Sequence, residues 1–228
     1  ELTLLWNLAQ KLETARGKPS DNSTQQIDYN FNIESEELVA GHPNDRVSIT
    51  QRRRGSPIDK VVSELMILVN SEWGKHLAEH GFVGIYRTQQ GGKVKMSTVA
   101  APHQGLGVAQ YMWSSSPLRR YVDMVNQRQI IAMLRDEEPA YPKNDPALYA
   151  TMRDFDIMYG LYNEFQRHME RYWCLRWLQQ EQANAPLPEL LVTAIVLREN
   201  LVKLADIPLV FKVPSLPELP ANTRVQLA

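Results

Sequence analysis

The sequence predicts an α+β fold in which long helices and several strands precede a small all-β stretch at the C-terminal end. Three observations predict it. Apolar residues recur at helical spacing in four long segments. Short runs near residues 27–33 and 46–51 alternate with a period of two, the mark of half-buried strands. Beyond the breaker Ala185-Pro186-Leu187-Pro188 the apolar runs shorten to strand length.

The elements follow in order. Leu2, Leu4, Leu5, Leu8 and Leu12 make an amphipathic helix over residues 1–16, ended by Gly17 and Pro19. This helix opens at Glu1 with neither an initiator Met nor a capping residue, which reads as a piece excised from a longer chain. A polar loop runs to Gln26. Ile27–Ile33 (IDYNFNI) places Ile27, Tyr29, Phe31 and Ile33 on one face of a strand. A second strand is expected near Glu37–Ala40, a turn at Gly41–Asp45, and a further strand over Arg46–Gln51.

Ser56-Pro57 are favoured N-cap and first-turn residues and open a long helix to about His80. Gly81 ends it, and Val83–Arg87 reads as a short strand. Gln89–Gln110 is Gly-rich without a clear period. Ser116-Pro117 opens the next helix, to about Arg135, and Asp145-Pro146 begins a long aromatic-rich helix to about Gln182. Leu190–Leu197, Leu201–Leu204, Leu209–Val213 and Arg224–Leu227 are short apolar strands, as in a β-barrel or sandwich.

With 228 residues the chain can bury one sizeable core, or one core and a small second module. Its net charge of −1 excludes a whole-molecule basic field, so nucleic acid would have to be met by a local basic patch. No apolar run is long enough for a membrane-spanning helix. Cys174 is the only cysteine, which excludes an internal disulfide and fits a cytoplasmic setting.

Several chemistries lack their signatures. Gly92-Lys93 is preceded by Arg87 where a phosphate-binding loop needs Gly, and Val94 follows where Ser or Thr is needed. No Gly-x-Ser-x-Gly elbow is present. His76 and His80 stand four apart without a further ligand in zinc spacing and read as a surface pair.

The informative segment is His103–Arg128, HQGLGVAQYMWSSSPLRRYVDMVNQR. A helix capped by Ser116 and opened by Pro117 would carry Arg119 and Arg120 in its first turn. Cations are unfavourable at that positive end. They are explained if a phosphate is held jointly by the helix N–H groups and a guanidinium. Equally, Arg119 could pair with Asp123 four residues on, across a solvated face.

SSSPLRRYVDMVNQR resembles the SPIRRYxDxxxHR segment of the ribonuclease II (RNB) exoribonucleases, and HQGLGVAQY resembles their HFGLGxxxY. VVSELMILVN (Val61–Asn70) is similar to LIEEFMLLAN of that family, and GIYRTQ (Gly84–Gln89) to its PxxYRxH strand. IDYNF and the helix FQRHMERYWCLRW (Phe165–Trp177) also agree in order. Trp113-Ser114-Ser115 departs from the family's His-Phe-Thr, and Gln127 from its His.

The resemblance implies a partial RNB-type catalytic domain over residues 1–185, a mixed sheet packed with long helices. An OB-type RNA-binding β module over 186–228, of open completeness, would follow. It implies processive 3′→5′ hydrolysis of single-stranded RNA to nucleoside 5′-monophosphates, with Mg²⁺ held by an aspartate cluster. Nothing in this chain matches the family's HxADxxxxVxxxxxLDxxAxxRxxSxY segment that carries those aspartates. The parent protein would supply them, and the chain alone would be inactive. The alternative is a non-catalytic RNA-binding or scaffold protein derived from the family.

By the same resemblance Arg119 is the catalytic arginine on the phosphate undergoing cleavage, with Arg120 and Tyr121 beside it. Glu64 falls on the glutamate that meets the ribose 2′-OH. Read by itself, it belongs to a solvated stripe with Lys60, Ser63, Asn70 and Ser71. Phe31 falls on an aromatic that stacks on a base, or is simply the buried side of its strand. Glu170 faces the nucleotide pocket, or lies on a core helix. Arg52, Arg53 and Arg54 could follow RNA phosphates. A partial domain exposes apolar surface, so self-association of the chain is expected.

Overall fold

The structure is a computed structural model that describes residues 1–18, 27–35, 42, 44–53, 56–185 and 189–228. The chain divides into two compact units. One comprises residues 1–24 and 55–160, the other 25–54 and 161–228.

In the first unit, α1 (Leu2–Ala15) lies along α2 (Pro57–Glu79). Only Ala9 of α1 is buried, and Leu2 and Leu4 are largely exposed. Charged pairs join the two helices: Lys60 with Glu13 at 2.5 Å and Arg16 with Glu64 at 2.5 Å. Lys60 also lies over the Trp6 ring. Ser56 caps α2 as predicted, its hydroxyl accepting from the Asp59 N–H at 3.1 Å.

The strand expected at Val83–Arg87 forms later, as β3 (Tyr86–Gln90), and pairs antiparallel with β4 (Lys93–Ser97). The stretch expected to lack regular structure therefore holds half of a hairpin. Its turn is Gly91-Gly92, with φ of 59° and 83°. A two-residue turn with both φ positive matches the twist of a hairpin, and glycine adopts it without a Cβ clash.

The helix expected from Ser116 also begins late. Residues 117–119 form a turn, in which the N–H groups of Arg119 and Arg120 donate to the Ser116 carbonyl. Arg120 is an extended N-cap residue (φ −136°, ψ 113°), and α3 runs from Tyr121 to Leu134. Arg119 and Arg120 are thus not in the first helical turn. Ile85, Tyr111, Trp113, Val122, Val125 and Leu148 form one apolar cluster of this unit. Leu77, Tyr86, Met112, Ile130 and Met133 form another.

The 39-residue helix α4 (Pro146–Asn184) passes from the first unit into the second at Gly160. Its middle is not core: Tyr162 and Phe165 are both more than 60% exposed.

In the second unit, β1 (Ile27–Glu34) pairs antiparallel with β2 (Arg46–Arg53), in a register that sets Phe31 opposite Ile49. The strand expected near Glu37–Ala40 lies outside the described residues. The C-terminal strands β5 (Val192–Arg198), β6 (Leu201–Leu204), β7 (Val210–Lys212) and β8 (Arg224–Leu227) form an antiparallel sheet in the order β7-β6-β5-β8. Ala194, Val196, Val202 and Leu204 of this sheet pack with Cys174, and Phe31, Ile49, Trp177 and Leu178 surround them. Burial pushes the Cys174 thiol up to about 11.

Among the described residues no helix is long and apolar enough to cross a membrane.

Candidate RNA-binding site

The candidate site in the first unit is the turn at residues 114–121, and buried polar side chains hold it. Asn70 of α2 is fully buried. Its carbonyl oxygen accepts from both the N–H and the hydroxyl of Ser114 at 2.9 Å, and its amide donates to Ser115 Oγ at 3.1 Å. From α3, Gln127 donates to the Ser114 carbonyl at 2.7 Å. Asn126 donates to the Trp113 carbonyl at 2.8 Å and exchanges two bonds with the backbone of Ile85. Gln129 grips Val83 and Tyr141 in the same way. The amides of Asn70, Asn126 and Gln129 are buried and that of Gln127 partly so, but all are satisfied, so their desolvation is offset and the backbone they hold is fixed.

Asp123 completes the scaffold. It is fully buried at the third position of α3 and accepts from the Ser116 N–H at 2.8 Å. Arg120 grips it with Nε and Nη2, both at 2.8 Å. A carboxylate there is favoured by the helix dipole, and a forked guanidinium is its best partner. The two arginines were expected to need an anion, and for Arg120 that anion is internal. The pairing is Arg120 with Asp123 rather than Arg119 with Asp123, because the helix starts later than the Ser-Pro signal suggested.

Arg120 also lies over the Trp113 ring at 4.2 Å, and Arg87 over the same ring at 3.8 Å. Burial pulls the Arg87 guanidinium below its ordinary range, and Arg120 adds to the shift. His103 is buried near it and is likewise held below its usual pKa, first by desolvation and then by the charge of Arg87.

What the scaffold leaves outward is Leu118, Arg119 and Tyr121, all exposed. Among the described residues the Arg119 side chain makes no hydrogen bond or ion pair, its backbone N–H alone being engaged, with the Ser116 carbonyl. Among the described residues, then, the Arg119 guanidinium is unpaired on a turn whose backbone is pinned from two helices.

Glu64 is 5% exposed, which corrects the solvated stripe; Asn70 and Ser71 of that stripe are buried too. Both Glu64 oxygens meet Arg16, at 2.5 and 3.2 Å, and Arg16 also donates to the Leu106 carbonyl. Phe31 and Glu170 belong to the second unit. Phe31 is half-buried against the Cys174 cluster, and Glu170 accepts from Gln166 at 2.7 Å. Arg52 is exposed, and Arg54 lies outside the described residues. No three His, Cys, Asp or Glu side chains come together among the described residues, so the Mg²⁺ implied by the resemblance finds no ligand set in them.

Residues 92–136 match the RNB domain. The chain is 35% identical over 78 residues to exoribonuclease 2 of Erwinia tasmaniensis, covering 31% of this chain and 12% of that protein. It is 41% identical over 51 residues to exoribonuclease 2 of Yersinia pestis strain Pestoides F, covering 22% and 8%.

The chain thus carries a segment similar to the RNB domain and to exoribonuclease 2 sequences. RNB exoribonucleases also share its fold. An active-site mutant of the Dss1 exoribonuclease from Candida glabrata superposes with a TM-score of 0.72 at 19% identity, over 98% of this chain and 32% of that one. Mycoplasma genitalium RNase R in complex with double-stranded RNA gives 0.70 at 12% identity, over 99% and 47%. The chain thus spans less than half the length of these RNB proteins. The RNB match includes the whole pinned turn and the β3–β4 turn at its first residue.

Proposed function

We propose that the protein containing this chain degrades single-stranded RNA processively from the 3′ end to nucleoside 5′-monophosphates. The observation that carries the reading is Arg119, whose guanidinium is unpaired among the described residues on a rigid turn inside the RNB match, and whose neighbour Arg120 is already committed to Asp123. Arg119 grips the phosphate undergoing cleavage. A forked donor fits a phosphate's oxygens, and it stabilises developing charge best when its support does not move. Arg120 positions it by fixing the turn, and Tyr121 borders the strand.

Glu64 meets the ribose 2′-OH. Its pairing with Arg16 is compatible with that role, because a carboxylate keeps lone pairs beyond the two that Arg16 occupies. Phe31 stacks on a base, Glu170 faces the terminal nucleotide, and the C-terminal sheet is an OB-type RNA-binding module. In this reading a Mg²⁺ ion would activate the attacking water, and the aspartates that would hold it are not among these 228 residues. The cytoplasm is the working compartment, and the exposed leucines of α1 are a surface for self-association.

The test is a nuclease assay on the whole protein with 5′-labelled single-stranded RNA. The reading expects short end products without a ladder of intermediates, and a loss of about a hundredfold or more in rate for Arg119→Ala. Internal cuts, or full activity in Arg119→Ala, would overturn it. RNA binding without any hydrolysis by the whole protein would favour the scaffold reading.

A further inference from the structure

A second polar-aromatic feature lies in the first unit, between the hairpin and the start of α4. Arg87, Val94, Lys95, Met96, Trp113, Phe155, Asp156 and Tyr159 enclose a cavity of about 230 Å³. Three of the walls are rings in fixed mutual contact. Phe155 and Tyr159 stack at 5.7 Å with 17° between planes, and Trp113 stands edge-on to both, at 5.9 and 6.2 Å.

The charges in this cavity are not balanced internally. Arg87 is partly buried and has no carboxylate within ion-pair distance among the described residues. Its companions are the Trp113 ring, the Tyr159 hydroxyl and, nearby, the charge of Arg120. Lys95 is exposed on β4 and makes no ion pair among the described residues. Asp156 is the one carboxylate of the lining, and neither cation pairs with it. A guanidinium that has lost water and gained no anion is stabilised by any anion that enters.

We infer that this cavity takes one nucleotide of an RNA strand, its base against the Trp113–Phe155–Tyr159 wall and its phosphate on Arg87 and Lys95. The size suits that occupant. Pockets for drug-sized ligands run from roughly 300 to 1,000 Å³, so about 230 Å³ holds a single base with its phosphate at the mouth. Aromatic walls accept any base through its π-face, and Asp156 can accept from an exocyclic amino group. The site is distinct from the turn that bears Arg119, since the hairpin and α4 supply all of its lining except Trp113, which borders both. It rests on the RNA reading for the identity of its natural ligand.

Isotope-labelled full chain titrated with adenosine 5′-monophosphate tests it by amide chemical shifts. Shifts should gather at residues 94–96, at the Trp113 indole and at 155–159. Lys95→Ala and Tyr159→Ala, both at accessible positions, should each weaken binding about fivefold or more, and Lys95→Arg should restore it. Inorganic phosphate and adenosine should each bind more weakly than the nucleotide. If the nucleotide moves none of these amides, or binds both alanine variants like the wild type, the inference is overturned. Equal shifts with inorganic phosphate alone would remove the base from it.

A short single-stranded RNA separates the two claims. Binding unaffected by Lys95→Ala and Tyr159→Ala but lost in Arg119→Ala sinks the cavity and leaves the RNA reading standing. Nucleotide binding in the cavity, with RNA binding insensitive to Arg119→Ala, does the reverse.

Discussion

Asp123 binds the guanidinium of Arg120 through two 2.8 Å contacts, while the side chain of Arg119, the preceding residue, has no partner among the described residues. The Asp123 carboxylate is fully buried, so removing it strands the Arg120 charge and frees the Ser116 N–H. Asp123→Ala should cost about 3–5 kcal/mol, the usual loss when one partner of a buried pair goes. Urea unfolding measures it; a cost below about 1 kcal/mol would mean the pair does not hold the turn.

Gly107 joins the His103–Gly107 loop to the end of α1. Its φ is +67°, and a Cβ there would meet the Arg16 carbonyl oxygen. Gly107→Ala should destabilise by about 2 kcal/mol or more, through backbone strain and displaced packing. Gly91 also has positive φ, but open space around it, so Gly91→Ala should cost less. Thermal melts of the two variants give the comparison, and equal losses would contradict the close approach at Arg16.

His103 is held neutral, below its ordinary value of 6.5. The unfolded chain takes up a proton near that value while the folded chain resists it. Stability should therefore fall as pH drops from about 7 through 6.5, levelling only below the lowered folded value. His103→Gln should flatten part of that slope in unfolding experiments between pH 5 and 7.5. An unchanged slope would show that the histidine is not shielded as described.

Cys174 is enclosed by the C-terminal sheet and its thiol is raised to about 11. Thiolate is the reactive form, so the native protein should resist a disulfide reagent at pH 8 and react promptly in denaturant. Fast reaction under native conditions would show that the second unit opens readily.

Much of the fold was legible because its signals are local. Ser56-Pro57 caps α2 as read, and IDYNFNI forms a strand with Phe31 turned to the core. The β3–β4 hairpin was missed although Gly91-Gly92 stands between two strand-length runs, because Gln and Lys obscure the alternation. The start of α3 was misplaced because a Ser-Pro pair suits a tight turn as well as a helix, and Asp123 decides between them by binding back to Ser116. The burial of Glu64 and Asn70 was not legible at all. Polar residues on one helix face read as solvated unless their partners are known, and Arg16 and Ser114 lie 48 and 44 residues away.

For the candidate site, sequence reasoning found Arg119 through the family motif. The amides of Asn126 and Gln129 that hold its surroundings passed unremarked, and Gln127 was noted only as a departure from the family's His. Their signal is three amides within four positions of a helix whose other residues are largely apolar.

The most direct measurement is the affinity of the chain for single-stranded RNA as a function of salt, for wild type and Arg119→Ala. The account predicts that the variant keeps its stability, binds about tenfold or more weakly, and loses about one unit from the slope of log affinity against log salt. An unchanged affinity and slope in a folded Arg119→Ala protein would contradict it.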